Sequence, residues 1–225
     1  NCGHTNEFMD WASTNSFGSP DLDTRPAEDY RFSMNQMLVK KCEECGYCNA
    51  DIEQISENMR DVITSNQYRE QVNNKEFTEK ANEFLCKSIL LESINEIEES
   101  AWASLHAAWN CDDGDKYVQS KYCRKNAIRL FQLANTIAPL NFEKQGGYPA
   151  LLIDLLRKTE QFEEASKICN LRLEKEDDEI IRKVLFYQNQ LIDVKDVKTY
   201  TIENAIEYYD NNIIEDSDNE ESFDD

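Results

Sequence analysis

Three cysteines within seven residues, Cys42, Cys45 and Cys48, are the part of this sequence best suited to chemistry. Cys42-Glu43-Glu44-Cys45-Gly46-Tyr47 has the form of a zinc knuckle. Two thiolates three positions apart fall on one side of a turn and can share a metal. A glycine after the second permits the left-handed backbone that aims amides at the sulfurs. Cys2-Gly3-His4 repeats the second half of that form, so its matching cysteine is expected three positions before Cys2, outside this sequence. The expected metal ligands here are Cys2, Cys42, Cys45 and Cys48, with His4 or the preceding cysteine as alternatives for the fourth. Zn2+ is the expected cofactor, in a structural role, because four thiolates leave no open position to activate water. Rubredoxin-like iron uses the same geometry, so spacing alone does not separate the two metals. A redox-active CxxC or unligated thiols are the competing readings.

Little else in the chain could do chemistry. There are only two histidines. His106, between Trp102 and Trp109, reads as a half-buried packing residue rather than a base, and Asp112-Asp113 as a helix-end turn. There is no Ser/His/Asp set, no phosphate-cradling glycine loop and no HExxH helix. The stretch Asp21-Leu22-Asp23-Thr24-Arg25-Pro26 lies between two prolines that stiffen it. It is either displayed for recognition or packed on the helices with Arg25 paired to an acid; the second is the favoured reading.

These residues need a frame. Residues 1–50 show no helical period and read as loop, with a short strand around Met34 to Lys41 leading into the cysteines. From Asp51 the pattern changes. Asp51-x-x-Gln54 looks like a capping box ahead of Ile52, Ile55, Met59, Val62 and Ile63. Helical faces follow on Phe77–Leu91, on a helix capped by Ser93-x-x-Glu96, on Tyr117–Ile137 with a stop at Ala138-Pro139, and beyond a loop from Leu140 to Gly147. The later ones are about 149–159, 162–175, 180–194 and 200–209. Ala127, Phe131, Ala134 and Pro139 follow the order of a tetratricopeptide second helix, and Phe162, Ala165 and Cys169 echo it. An irregular bundle fits the same faces. The fold class expected is therefore mainly α: a helical-hairpin, tetratricopeptide-like bundle over 51–210, with a zinc-ribbon-like head at 1–50. An acidic tail at 211–225 is read as disordered, since seven of its last eleven residues are acids.

Composition narrows the partners. The 225 residues carry 24 Lys plus Arg against 45 Asp plus Glu, a net charge of −21. Such a surface repels nucleic acid and anionic lipid, so neither is expected, and a basic protein partner is. No apolar run approaches the length of a membrane helix. Of eight cysteines, Cys86, Cys111, Cys123 and Cys169 lie singly in helical patterns, where a thiol behaves as a small buried hydrophobe. With the crowding of Cys42 to Cys48, that favours a reduced, cytoplasmic chain over a disulfide framework.

Four segments carry a resemblance: Cys2–Phe8, Gly18–Pro26, Cys42–Tyr47 and Leu105–Asp113. Together they resemble an uncharacterised family of bacterial proteins over about two-thirds of the chain. The resemblance implies a zinc-ribbon-like head on tetratricopeptide-like helices, with the first knuckle present as a full CxxC, and implies no activity. The function expected is a non-enzymatic protein–protein interaction or scaffold module with a structural zinc. The alternative is a metal-dependent redox or hydrolytic enzyme working at Cys42–Cys48.

Overall fold

The computed structural model describes residues 2–8, 17–137 and 147–220, without the side chains of Phe32 and of 213–220. The expected stop at Ala138-Pro139, most of the loop after it and the last five residues of the acidic tail lie outside them. The protein is mainly α, with ten helices and a single two-stranded sheet among the described residues. The chain divides into two compact units, one of Asn1–Ser16 and Glu28–Leu140, the other of Phe17–Ala27 and Asn141–Asp225.

The first unit holds α1 (Glu28–Leu38), β1 (Lys40–Lys41), β2 (Cys48–Asn49), α2 (Glu57–Thr64), α3 (Asn66–Val72), α4 (Glu79–Ser93), α5 (Ile97–Asp113) and α6 (Tyr117–Ile137). Helix α5 packs between α4 and α6. Its Ala101, Ala107 and Ala108 are fully buried and let the neighbouring backbones approach, while Phe84, Leu90, Leu105, Leu130 and Phe131 fill the space between. A buried polar seam runs through this packing. Ser88 Oγ lies 2.9 Å from Ser100 Oγ and 2.8 Å from Ser104 Oγ, and Asn126 donates to Ser104 Oγ.

Two elements differ from expectation near the start. Residues 28–38 are helix, and the strand is confined to Lys40–Lys41. Asp51 caps no helix: its Oδ1 accepts from the Glu53 amide in a local turn. Helix α2 instead starts after Ser56, whose side chain accepts from the Met59 amide. Ser93 is likewise the last residue of α4 and not a cap of α5, which Glu96 precedes without a side-chain capping bond.

The second unit comprises α7 (Gly147–Lys158), α8 (Phe162–Leu173), α9 (Glu179–Asp193) and α10 (Ile202–Glu220). Helix α10 carries the backbone to Glu220, into the stretch read as a tail. Helix α8 packs on α7 and α9, and α7 also meets α9. The Asp21–Pro26 stretch belongs here and is packed rather than displayed. Asp21, Leu22, Asp23 and Arg25 are buried. The Leu22 amide donates to Tyr200 O at 2.8 Å and the Ile202 amide to Pro20 O at 2.9 Å. Asp23 pairs with Lys158 at 3.1 Å. Lys158 also reaches Asp154, which is paired with Arg157 at 2.6 Å with both side chains fully buried.

Four helices end in the same way. The amide of Glu96 returns to Leu91 O and that of Asn95 to Glu92 O, with Asn95 at φ 65°. The same pair of bonds recurs at Asp115-Lys116, Glu160-Gln161 and Lys195-Asp196. This is the Schellman closure, which satisfies the last carbonyls and reverses the chain tightly, here with non-glycine residues in the left-handed position.

His106 shows what the core does to a titratable group. Its ring lies 5.2 Å from Phe84, 6.3 Å from Trp102 and 4.9 Å from Trp109. Burial, helped by the Lys87 ammonium, holds its pKa down at about 3. An unfolded histidine takes a proton near pH 6.5, so below that pH the unfolded chain binds more protons than the folded one. The resulting stability is complete above about pH 6.5 and falls as the pH drops, by about 1.4 kcal/mol per unit. Urea unfolding is expected to show this decline between pH 6.5 and 5, and His106→Phe to flatten it. An unchanged slope in that variant would contradict the assignment.

Candidate metal centre

The knuckle is built by backbone first. The Cys42 amide donates to Tyr47 O at 2.8 Å and the Gly46 amide returns to Cys42 O at 2.9 Å. Strands β1 and β2 flank this turn, pairing antiparallel with Lys40 opposite Asn49 and Lys41 opposite Cys48. Gly46 sits at φ 72°, in the left-handed region. Helix α3, which the sequence pattern did not reveal, braces the turn from behind. The Tyr68 hydroxyl donates to Gly46 O at 2.9 Å and accepts from the Cys48 amide at 3.0 Å, and Arg69 Nη1 donates to Cys45 O at 3.0 Å.

Three of the expected ligands meet. The sulfurs of Cys2, Cys42 and Cys45 all lie within 4.8 Å of one another, and Cys2 Sγ is 3.7 Å from Cys42 Sγ. A disulfide requires about 2.05 Å. Two sulfurs bound tetrahedrally at about 2.3 Å from one zinc are separated by about 3.8 Å. The observed spacing therefore suits a shared metal.

The N-terminal segment reaches the knuckle through a second residue. Asn6 Nδ2 donates to Cys42 Sγ at 3.5 Å, and Asn6 Oδ1 accepts from the Glu43 amide at 3.1 Å. Phe8 adds a ring under the Lys40 ammonium, 5.5 Å from its centroid. Nothing in the sequence singles out Asn6, because its role depends on contacts 36 and 37 positions away. Burial opposes ionisation of Cys42, but the Cys45 amide, Asn6 and the Glu44 amide outweigh it and bring the thiol down to about 6. Cys45 moves the other way, up to about 11, chiefly through burial and then through the Cys42 and Cys2 sulfurs beside it.

Cys48, also expected as a ligand, is not brought to the trio. It is fully buried, its thiol donates to Gly46 O at 3.3 Å, and its backbone is held by Tyr68. Its neighbour is Cys86, whose pKa rises through a hydrogen bond with Cys48 and through burial. Among the described residues no fourth Cys, His, Asp or Glu lies within 4.8 Å of all three sulfurs. His4 does line the cavity on which the sulfurs open. The remaining thiols, Cys86, Cys111, Cys123 and Cys169, are buried; Cys111 and Cys123 share a hydrogen bond, and burial pushes Cys169 up to about 12.

Gly46 gives a direct check on this geometry. A Cβ there would meet Val72 at an ordinary 3.5 Å, so crowding is not the problem. The cost of Gly46→Ala is conformational, about 1–2 kcal/mol for a side chain in the left-handed region. For a metal bound at these sulfurs that cost would read as roughly a tenfold loss of affinity, measured by competition with a chromogenic chelator. Unchanged affinity would show that the turn does not depend on this backbone state.

Comparison with known protein families, with curated proteins and with solved structures finds no match. Among the described residues no helix is long and apolar enough to cross a membrane.

Proposed function

We propose that the chain is a non-catalytic interaction module in which a structural zinc, held by Cys2, Cys42 and Cys45 and closed by His4 at the fourth position, clips the segment 2–8 onto a helical scaffold. The observation that carries this reading is the 3.7 Å separation of Cys2 and Cys42, forty positions apart in sequence. The segment 2–8 is mostly exposed and has few other anchors, so a metal would supply the free energy that its own packing does not. Zinc suits two thiolates of a tight turn met by a third from a distant segment, and iron would fit the same sulfurs.

The helices form the scaffold, and a degenerate tetratricopeptide-like arrangement is part of the proposal. It is supported by the recurring Schellman turns, by the packing of α7 on both α8 and α9, and by the burial of Ala127, Phe131, Ala134, Ala165 and Cys169 at the repeat positions. The net charge of −21 favours a basic protein partner over nucleic acid or an anionic membrane. Free thiols throughout suit a reducing cytoplasm.

Elemental analysis combined with thiol titration tests the metal and separates this reading from a redox enzyme at the same cysteines. One zinc per chain, with Cys2, Cys42 and Cys45 unreactive until the protein is denatured, is the expected result. Rapid reaction of Cys42 in the metal-loaded protein would overturn it. For the scaffold, affinity capture from the native host should return a reproducible basic protein that is released as salt is raised. Recovery of none would count against that part.

A further inference from the structure

A cavity of 820 Å³ opens beside the three sulfurs, within the size range of small-molecule sites. Its charge does not follow the rest of the protein. Acids outnumber bases 45 to 24 in the chain, yet Arg60 and Arg69 both line this space and neither enters an ion pair among the described residues. The other three arginines of the first unit are paired: Arg31 with Asp113, Arg124 with Asp112 and Arg129 with Glu92. Arg69 spends one nitrogen on the Cys45 carbonyl and keeps the rest of its fork. Lys40 adds a third cation to the wall. Two acids, Asp51 and Glu53, also line the cavity, so its cations outnumber its carboxylates three to two; one Asp51 oxygen accepts from the Glu53 amide.

One part of the remaining wall is apolar, alongside the polar His4, Thr5, Asn6 and Thr64. Ile52, Ile55 and Ile63 face the space, with Tyr47 and Phe8. Ile52 and Ile55 are the residues expected to form a helical face; they precede α2 and line the cavity instead. A guanidinium matches a carboxylate or phosphate through two parallel hydrogen bonds, and an adjacent apolar wall rewards a ligand that carries a hydrophobic body.

We infer that this cavity binds an amphipathic organic anion, its acidic head at Arg60 and Arg69 and its apolar body on Ile52, Ile55 and Ile63. The inference rests on the metal reading in one respect: the wall contributed by Cys2 to Phe8 is held where it is by the thiolate trio.

The test uses the full zinc-loaded chain and calorimetric titration with decanoate, decyl phosphate and decyltrimethylammonium, with zinc content measured on the same samples. Saturable one-to-one binding of at least one anion, and none of the cation, is expected. The two anions distinguish a carboxylate from a phosphate head. Arg60→Glu should weaken binding at least tenfold and Arg60→Lys much less, whereas Arg129→Glu, on another surface, should leave it unchanged. Equal binding of the cation, indifference to Arg60→Glu, or no saturable binding of either anion would overturn the proposal. The zinc measurement reports separately on the metal: one zinc with no anion binding defeats the ligand site alone, and anion binding without zinc supports the site and defeats the metal reading.

Discussion

If Cys2, Cys42 and Cys45 hold a zinc as proposed, Cys42→Ser is expected to cost the protein that metal and the docking of segment 2–8 while leaving the helices folded. Cys42 is the centre of the cluster, in contact with Cys2 and Asn6 and held by the turn amides. Structural zinc sites of this kind contribute about 10–16 kcal/mol of binding free energy in small peptides. Disturbing even the outer hydrogen bonds of a metal site costs 10–100-fold in affinity, so removal of a thiolate is expected to lower it by more than about a hundredfold. The consequence stays local because the packing of α4, α5 and α6 uses none of these atoms. Far-ultraviolet circular dichroism should be nearly unchanged, while chymotrypsin should cut at Phe8 much faster, and chelation of the native protein should reproduce both results. Full zinc retention by the variant, or collapse of its helicity, would contradict the assignment.

The second large effect lies in the other unit. Arg157→Met is expected to destabilise it by about 3–5 kcal/mol, the usual consequence of removing one partner of a buried ion pair, with Lys158 at 3.5 Å remaining beside Asp154. Arg157 is fully buried, bonds Asp154 through two nitrogens, and donates to the carbonyls of Asp196 and Lys198 at 2.6 and 3.0 Å. One guanidinium thus ties α7 to the turn that follows α9, and Lys158 beside it holds Asp23 of the packed Asp21–Pro26 stretch. Arg129→Met is the control: its pair with Glu92 is about half exposed, and such pairs contribute less than about 1 kcal/mol. Chemical denaturation of the two variants should differ by several kcal/mol; equal losses would show that burial of the Arg157 pair does not govern its effect.

Residues from Phe77 onward were legible because their apolar positions recur at helical spacing, and α4 to α9 bury those positions. The helices that escaped notice are short or polar. Helix α3 buries only Tyr68 in seven residues, and α1, Glu28–Leu38, is polar over most of its length, so neither stands out as an apolar helix. Helix ends were harder to place than helices, since Asn95, Asp115, Glu160 and Lys195 take the left-handed position where glycine would have been the signal. At the cysteine cluster, spacing pointed to Cys42 and Cys45 and the echo at Cys2, whose sulfurs lie within 4.8 Å of one another. It could not distinguish Cys48, because which side of a turn a thiol faces depends on the β1–β2 register and on Tyr68, twenty positions away. The cavity cations were invisible for the same reason: Arg60 and Arg69 look like ordinary helix-surface charges until the turn preceding α2 brings Ile52 and Ile55 beside them.

X-ray absorption at the zinc edge tests the metal centre most directly. On protein purified under reducing conditions, the spectrum is expected to show one zinc with at least three sulfur neighbours at about 2.3 Å, and to lose a sulfur in Cys2→Ser but none in Cys48→Ser. A shell of nitrogen and oxygen alone, a sulfur lost in Cys48→Ser, or a protein that takes up no metal would contradict the assignment of Cys2, Cys42 and Cys45.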